Sequence, residues 1–77
     1  MSETSVDARN LLCPMPVIRT QDAVAACAPG DRVSVLCTDP GVVYDIPAWC
    51  RVHGHAVCDI KHEDNEIIIE IEVGEKI

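Results

Sequence analysis

Phenylalanine is absent from this chain of 77 residues, and Trp49 and Tyr44 are its only aromatic side chains. The core must therefore come from Val, Ile, Leu, Ala and Cys, which are plentiful. Basic residues are also few, 6 against 13 acids for a net charge of −7. Such a field repels phosphate backbones and forgoes counterion release, which argues against direct, tight nucleic-acid binding. No apolar run is long enough to cross a membrane, and the opening Met1-Ser2-Glu3-Thr4 has no basic segment followed by an apolar one. The expectation is a cytoplasmic protein with no membrane contact.

The shortness of the chain is a further constraint. It leaves room for one domain, residues 1–77 with a core of about 5–73, and makes a deep, enclosed substrate cavity unexpected. Chemistry is expected at the surface, which favours a carrier or a binding module.

The five cysteines, Cys13, Cys27, Cys37, Cys50 and Cys58, are odd in number and include no Cys-x-x-Cys pair. In a reducing compartment they read as free thiols, and a thiol-redox role lacks its usual motif. The acids are unevenly placed. Glu3, Asp7, Asp22 and Asp31 face Arg9, Arg19 and Arg32 in the first half, and the rest follow Thr38. The field around Cys13 is accordingly assigned to Arg9 and Arg19, the candidate partner contacts.

Periodicity supplies the elements. Alternation over Ser5 to Arg9 suits a short strand, and apolar residues Val17, Ile18, Val24, Ala25 and Ala28 give a helical stripe from Pro14 to about Ala28, stopped by Pro29-Gly30-Asp31. Arg32 to Thr38 reads as a central strand. Val42, Ile46, Trp49 and His53 share a helical face that Gly54 ends, with Pro47 either kinking the helix or following an Asp45 cap. A hairpin follows, Ala56 to His62 and Glu66 to Val73, in which Ile67, Ile69, Ile71 and Val73 alternate with Ile68, Glu70 and Glu72. The order β-α-β-α-β-β predicts an α/β (α+β) two-layer sandwich, with a four-stranded mixed sheet and both helices on one face. The uncovered, acidic sheet face is consistent with a monomer.

Leu12-Cys13-Pro14-Met15-Pro16-Val17 places a thiol before a proline, a position pushed out of helical geometry. With Pro14 at the first helical position, Cys13 becomes the cap, its sulfur at the positive helix end and its thiolate favoured. Pro14 and Pro16 have no N–H to lose, and the free donors of Met15 and Val17 then form a small anion-binding nest beside the sulfur.

The Cys-Pro-x-Pro motif after a short strand resembles the TusA-like, or SirA-like, sulfur carrier family. Further likeness lies in Ala28-Pro29-Gly30-Asp31, Thr38-Asp39-Pro40, Asp45-Ile46-Pro47-Ala48-Trp49-Cys50 and His55, together covering residues 6 to about 73. The resemblance implies the same sandwich, similar to the C-terminal domain of a bacterial translation initiation factor. It also implies a sulfurtransferase-like carrier that holds sulfane sulfur as a persulfide on Cys13 and needs no other cofactor. A cysteine desulfurase or rhodanese would be the donor, and a DsrE-like or TusD-like protein the acceptor. The relay would end in tRNA thiolation, cofactor sulfuration or dissimilatory sulfur oxidation. Many relatives carry a basic residue before the cysteine and Glu between the prolines, where this chain has Leu12 and Met15, so its rim is more apolar. The competing class, an RNA-binding or regulatory module on the initiation-factor-like fold, conflicts with the acidic balance.

Cys50, His53, His55 and Cys58 have the residue types of a zinc site, but helix and strand placement separates them, and no metal is expected. Cys50 is a candidate second thiol, with core packing the favoured reading. Cys27, Cys37 and Cys58 read as small hydrophobes, and Asp39 and Asp45 as helix caps.

Overall fold

The computed structural model describes residues 3–75. Its elements are β1 (Glu3–Ala8), α1 (Met15–Ala25), β2 (Arg32–Cys37), α2 (Val42–His53), β3 (Ala56–Glu63) and β4 (Glu66–Glu72). They form one mixed sheet in the order β1-β2-β4-β3, with β1 and β2 parallel and the other neighbours antiparallel. This is the predicted architecture.

The two central strands carry the core. Val33, Val35 and Cys37 of β2 and Ile67, Ile69 and Ile71 of β4 are buried, and register sets Val35 beside both Val6 and Ile69. The helices cover this face through Pro16, Thr20 and Val24 of α1 and Val42, Ile46 and Cys50 of α2. Each fully buried aliphatic side chain here contributes about 1.5–3 kcal/mol by leaving water. The period-2 reading of β4 holds residue for residue: Ile67, Ile69, Ile71 and Val73 are buried, while Ile68 and Glu70 are half-buried on the other face.

Several boundaries differ from the sequence reading. β1 stops at Ala8 because the Arg9 N–H turns back to Asp7 Oδ1 at 3.1 Å, and Asn10 then takes φ 64°. α1 ends at Ala25 rather than near Ala28, since the Ala26 and Cys27 N–H groups bond three residues back, to Ala23 and Val24, and tighten the last turn. Its stripe is also rotated. Ile18 is exposed and Thr20 is buried, the Thr20 hydroxyl being satisfied by the Pro16 carbonyl at 2.8 Å. α2 starts at Val42, so Asp45 lies within its first turn and Pro47 inside the helix. On that helix Cys50 replaces Trp49 and His53 on the fully buried face.

The far end is closed by a clasp. Gly54 caps α2 at φ 80°, and the Gly74 N–H donates to Nδ1 of His55 at 3.0 Å. A β-carbon on Gly74 would collide with the Gly54 carbonyl oxygen, so the two backbones meet where only glycine fits.

Candidate functional site

Parallel pairing of β1 and β2 brings their carboxyl ends together, Ala8 opposite Cys37. Ligand and reaction sites of α/β sheets favour this end. The loop after β1 carries Cys13, and the loop after β2 carries Asp39. Two hydrogen bonds join the loops: the Asn10 N–H to Thr38 Oγ1 at 2.9 Å, and the Cys13 N–H to Asp39 Oδ2 at 3.2 Å. The other Asp39 oxygen accepts the Gly41 N–H at 3.0 Å, so one carboxylate ties the Cys13 backbone to the start of α2.

Cys13 is exposed. It is not the cap of α1. Pro14 holds that position, the helix begins at Met15 with Pro16 in its first turn, and the Cys13–Pro14 peptide is cis. The expected nest of backbone donors is not formed as drawn, because the Met15 N–H is engaged by the Leu12 carbonyl at 2.9 Å. Val17 is half-buried behind the turn and packs against the core.

The electrostatics of the thiol also run opposite to expectation. The Asp45 carboxylate, as a hydrogen-bond acceptor for the thiol form, pushes the pKa of Cys13 up from its usual value. Partial desolvation and the charges of Asp45 and Asp39 push the same way. Sequence reasoning weighed a helix end that stabilises the thiolate. Two carboxylates on a neighbouring element decide the sign instead.

Asp39 and Asp45 are thus the site residues that the sequence reading treated as helix caps. The signal available was their place in the Thr38-Asp39-Pro40 and Asp45-Ile46-Pro47 segments. Nothing local distinguished a cap from a contact with a distant turn.

Arg9 and Arg19 do not set the field at Cys13. The Arg9 guanidinium is held by Asp7 through two hydrogen bonds, 3.0 and 2.9 Å, and reaches Glu66 at 3.5 Å. Both arginines line an open cleft of about 380 Å³ with Asp7, Asn10, Leu11, Thr38 and Glu66, on the β1 side of the Cys13 turn. The surface about Cys13 is instead apolar: Leu12 is 74 % exposed, with Met15 and Ile18 also open.

The remaining cysteines separate by environment. Cys50, the candidate second thiol, is buried in the core, and burial pushes its thiol up to about 11. Cys37 is held near the same value by burial and by the charge of Asp39. Cys27 lies past the end of α1, its thiol donating to the Ala23 carbonyl at 3.2 Å. Cys58, expected to pack inward, is exposed because β3 is irregular between Val57 and Asp59. His53 and His55 both stack on Trp49, with ring centroids 4.9 and 5.3 Å away. Of the four residues with zinc-ligand side chains, Cys50 lies in the core, Cys58 at the surface, and His53 and His55 against Trp49.

The protein is thus a small two-layer α/β sandwich with an exposed thiol at the carboxyl ends of its parallel strands. The sequence pattern of the family described as Sulfurtransferase TusA matches residues 4–73. A candidate sulfur carrier protein of Neisseria meningitidis is 33 % identical over 72 residues, covering 94 % of this chain and 97 % of its own. The sulfur carrier protein TusA of Allochromatium vinosum is 33 % identical over 61 residues, 79 % and 80 % of the two chains. That of Pseudomonas aeruginosa is 38 % identical over 58 residues, 75 % and 73 %. The crystal structure of a SirA-like protein from Desulfitobacterium hafniense superposes with a TM-score of 0.82 at 26 % identity, covering 94 % of this chain and 99 % of that one. The chain belongs to the TusA family of sulfur carriers.

Proposed function

We propose that the protein carries sulfane sulfur as a persulfide on Cys13, with no resident cofactor, and acts in the cytoplasm as one step of a sulfur relay. The observation that carries this reading is the exposure of Cys13 on a turn fixed by Asp39, Pro14 and Pro16, in a chain whose Cys37 and Cys50 thiols are buried. A carrier must offer its sulfur to two partners in turn. An exposed, backbone-anchored thiol does so without ordering a loop at each encounter.

In the cycle we propose, Cys13 attacks the outer sulfur of a persulfide on a cysteine desulfurase or a rhodanese. The donor leaves as a thiol, and Cys13 holds the transferred sulfur. An acceptor cysteine, on a DsrE-like or TusD-like protein, then attacks the outer sulfur of Cys13-S-SH, and Cys13 leaves. Pro14 and Pro16 stiffen the turn, while Met15 and Val17 build the first turn of α1 behind it. Arg9 and Arg19 lie beside the site as contacts for a partner's edge. The end product, whether thiolated tRNA, a sulfurated cofactor or oxidised sulfur, follows from the acceptor.

The test is a two-step transfer. Protein charged by a cysteine desulfurase and freed of it is mixed with a DsrE-like acceptor, and both chains are weighed by intact mass spectrometry. The reading expects one sulfur atom to leave this chain and appear on the acceptor. Retention of the sulfur with every acceptor tried would count against a relay role.

A further inference from the structure

The helices cover one face of the sheet, through Pro16, Thr20 and Val24 of α1 and Val42, Ile46 and Cys50 of α2. The other face is bare even over β1 and β2, which run parallel. Parallel strands are ordinarily buried on both sides. Register sets Ser5, Ser34 and Glu70 in one row across the bare face, and Asp7, Leu36 and Ile68 in the next. The two serines are short, and an open groove of about 280 Å³ lies there, lined by Ser5, Val6, Asp7, Ser34, Leu36 and Ile68. Leu36 and Ile68 are half-buried neighbours in that lining, where a fully solvated face would carry polar side chains.

Acids surround the groove. Glu3 and Glu72 stand in the row beyond the serines, Glu66 lies beyond Ile68 on β4, and Asp59 of β3 extends the row of Glu70. The bases of this face are already engaged: Arg9 by Asp7 and Glu66, Arg32 by Glu72, and Lys61 by Glu70. No base is left over, while Glu3 and Asp59 add further negative charge. This charge decides what can lie on the face. A second copy of the chain would bring the same acids, and nucleic acid or an anionic membrane would be repelled in the same way. A complementary occupant carries cations around an aliphatic side chain.

We propose that the bare sheet face is a docking surface for a cationic, amphipathic segment of a partner protein. An aliphatic side chain of that segment fills the groove at Ser5 and Ser34, and its Lys or Arg side chains lie over Asp7, Glu70 and Glu72. The surface is separate from Cys13, because the chain leaves β1 at Ala8 and turns through Cys13 into α1, on the covered side. A docked segment leaves the thiol open. It is a tether rather than the group that exchanges sulfur, and it raises the effective concentration of Cys13 near its successive partners. The docking surface itself does not depend on which residue holds sulfur.

The test uses the whole chain, isotope-labelled for NMR, and two synthetic probes: a peptide of alternating leucine and lysine, and its leucine–glutamate counterpart. Titration with the lysine peptide is expected to shift the amides of Ser5, Ser34, Leu36, Ile68 and Glu70, with affinity falling as salt rises. The glutamate peptide is expected to leave those signals in place. Ser34→Arg fills the groove and adds a positive charge, and is expected to weaken binding about ten-fold or more. Ile68→Ser removes apolar lining without changing charge and is expected to weaken it as well. Asp22→Asn, at an exposed position of α1, is expected to bind as wild type does. Saturating peptide is expected to leave alkylation of Cys13 by neutral iodoacetamide unchanged. The proposal is overturned by absence of saturable shifts, by shifts spread over the helix layer, by binding that survives both groove substitutions, or by loss of Cys13 alkylation in the complex. Unfolding curves confirm that each variant is folded.

Discussion

The Cys13 amide and the Asp39 carboxylate are joined across two loops, N–H to Oδ2 at 3.2 Å, with Oδ1 of the same group on the Gly41 N–H at 3.0 Å. One side chain therefore sets the position of the thiol relative to α2, and through α2 relative to Asp45. Asp39→Ala is expected to leave the sandwich folded, because the Cys13 bond is at the surface, while freeing the turn. Amide hydrogen exchange should quicken at Cys13 and Gly41 and change little in β2 and β4. Unchanged exchange at Cys13 would show that the turn is held by other contacts.

A second expectation concerns pH. The Asp45 carboxylate raises the pKa of Cys13, so the thiolate becomes the major form only above the ordinary thiol range, about 8.5. The alkylation rate of Cys13 should therefore keep rising through that pH. A midpoint below it would contradict the arrangement of Asp45 and Asp39 about the sulfur.

The cysteines should also label in a set order. Cys13 and Cys58 are exposed, whereas Cys37 and Cys50 are buried with thiols pushed to about 11. Brief treatment with iodoacetamide at pH 8 is expected to modify Cys13 and Cys58 in the native protein, and Cys37 and Cys50 only after denaturation. Labelling of Cys50 in the native state would place it outside the core.

How much of this was legible beforehand depends on the range of the interaction. The β4 pattern was readable because its alternation follows directly from a period of two and one buried face. Cys58 was misread for the same reason: alternation carries no sign of the irregularity at Val57–Asp59 that turns it outward. The motif at Cys13 was visible as a pre-proline thiol. Its pKa was not, because the deciding groups lie 26 and 32 residues further along the chain, on the β2–α2 loop and on α2. Local rules assign Asp45 to a cap, whereas the fold brings its charge to bear on the Cys13 thiol.

Two substitutions probe the frame that holds the site. Ile69 is fully buried at the centre of the sheet, so Ile69→Ala is expected to reduce stability by about 2–5 kcal/mol in urea unfolding. Gly74→Ala would drive a methyl group into the Gly54 carbonyl and is expected to cost about 1–3 kcal/mol, disturbing the His55–Gly74 hydrogen bond. A neutral Gly74→Ala would mean that the two backbones separate easily.

The central claim is that Cys13 is where the sulfur is held. The most direct measurement is to incubate the protein with a cysteine desulfurase and cysteine, block thiols and persulfides by alkylation, and locate the added sulfur by peptide mass. A gain of one sulfur atom on the peptide containing Cys13, lost in Cys13→Ser, is the expected result. Added sulfur on Cys58 or Cys50, or a gain that survives in Cys13→Ser, would contradict it.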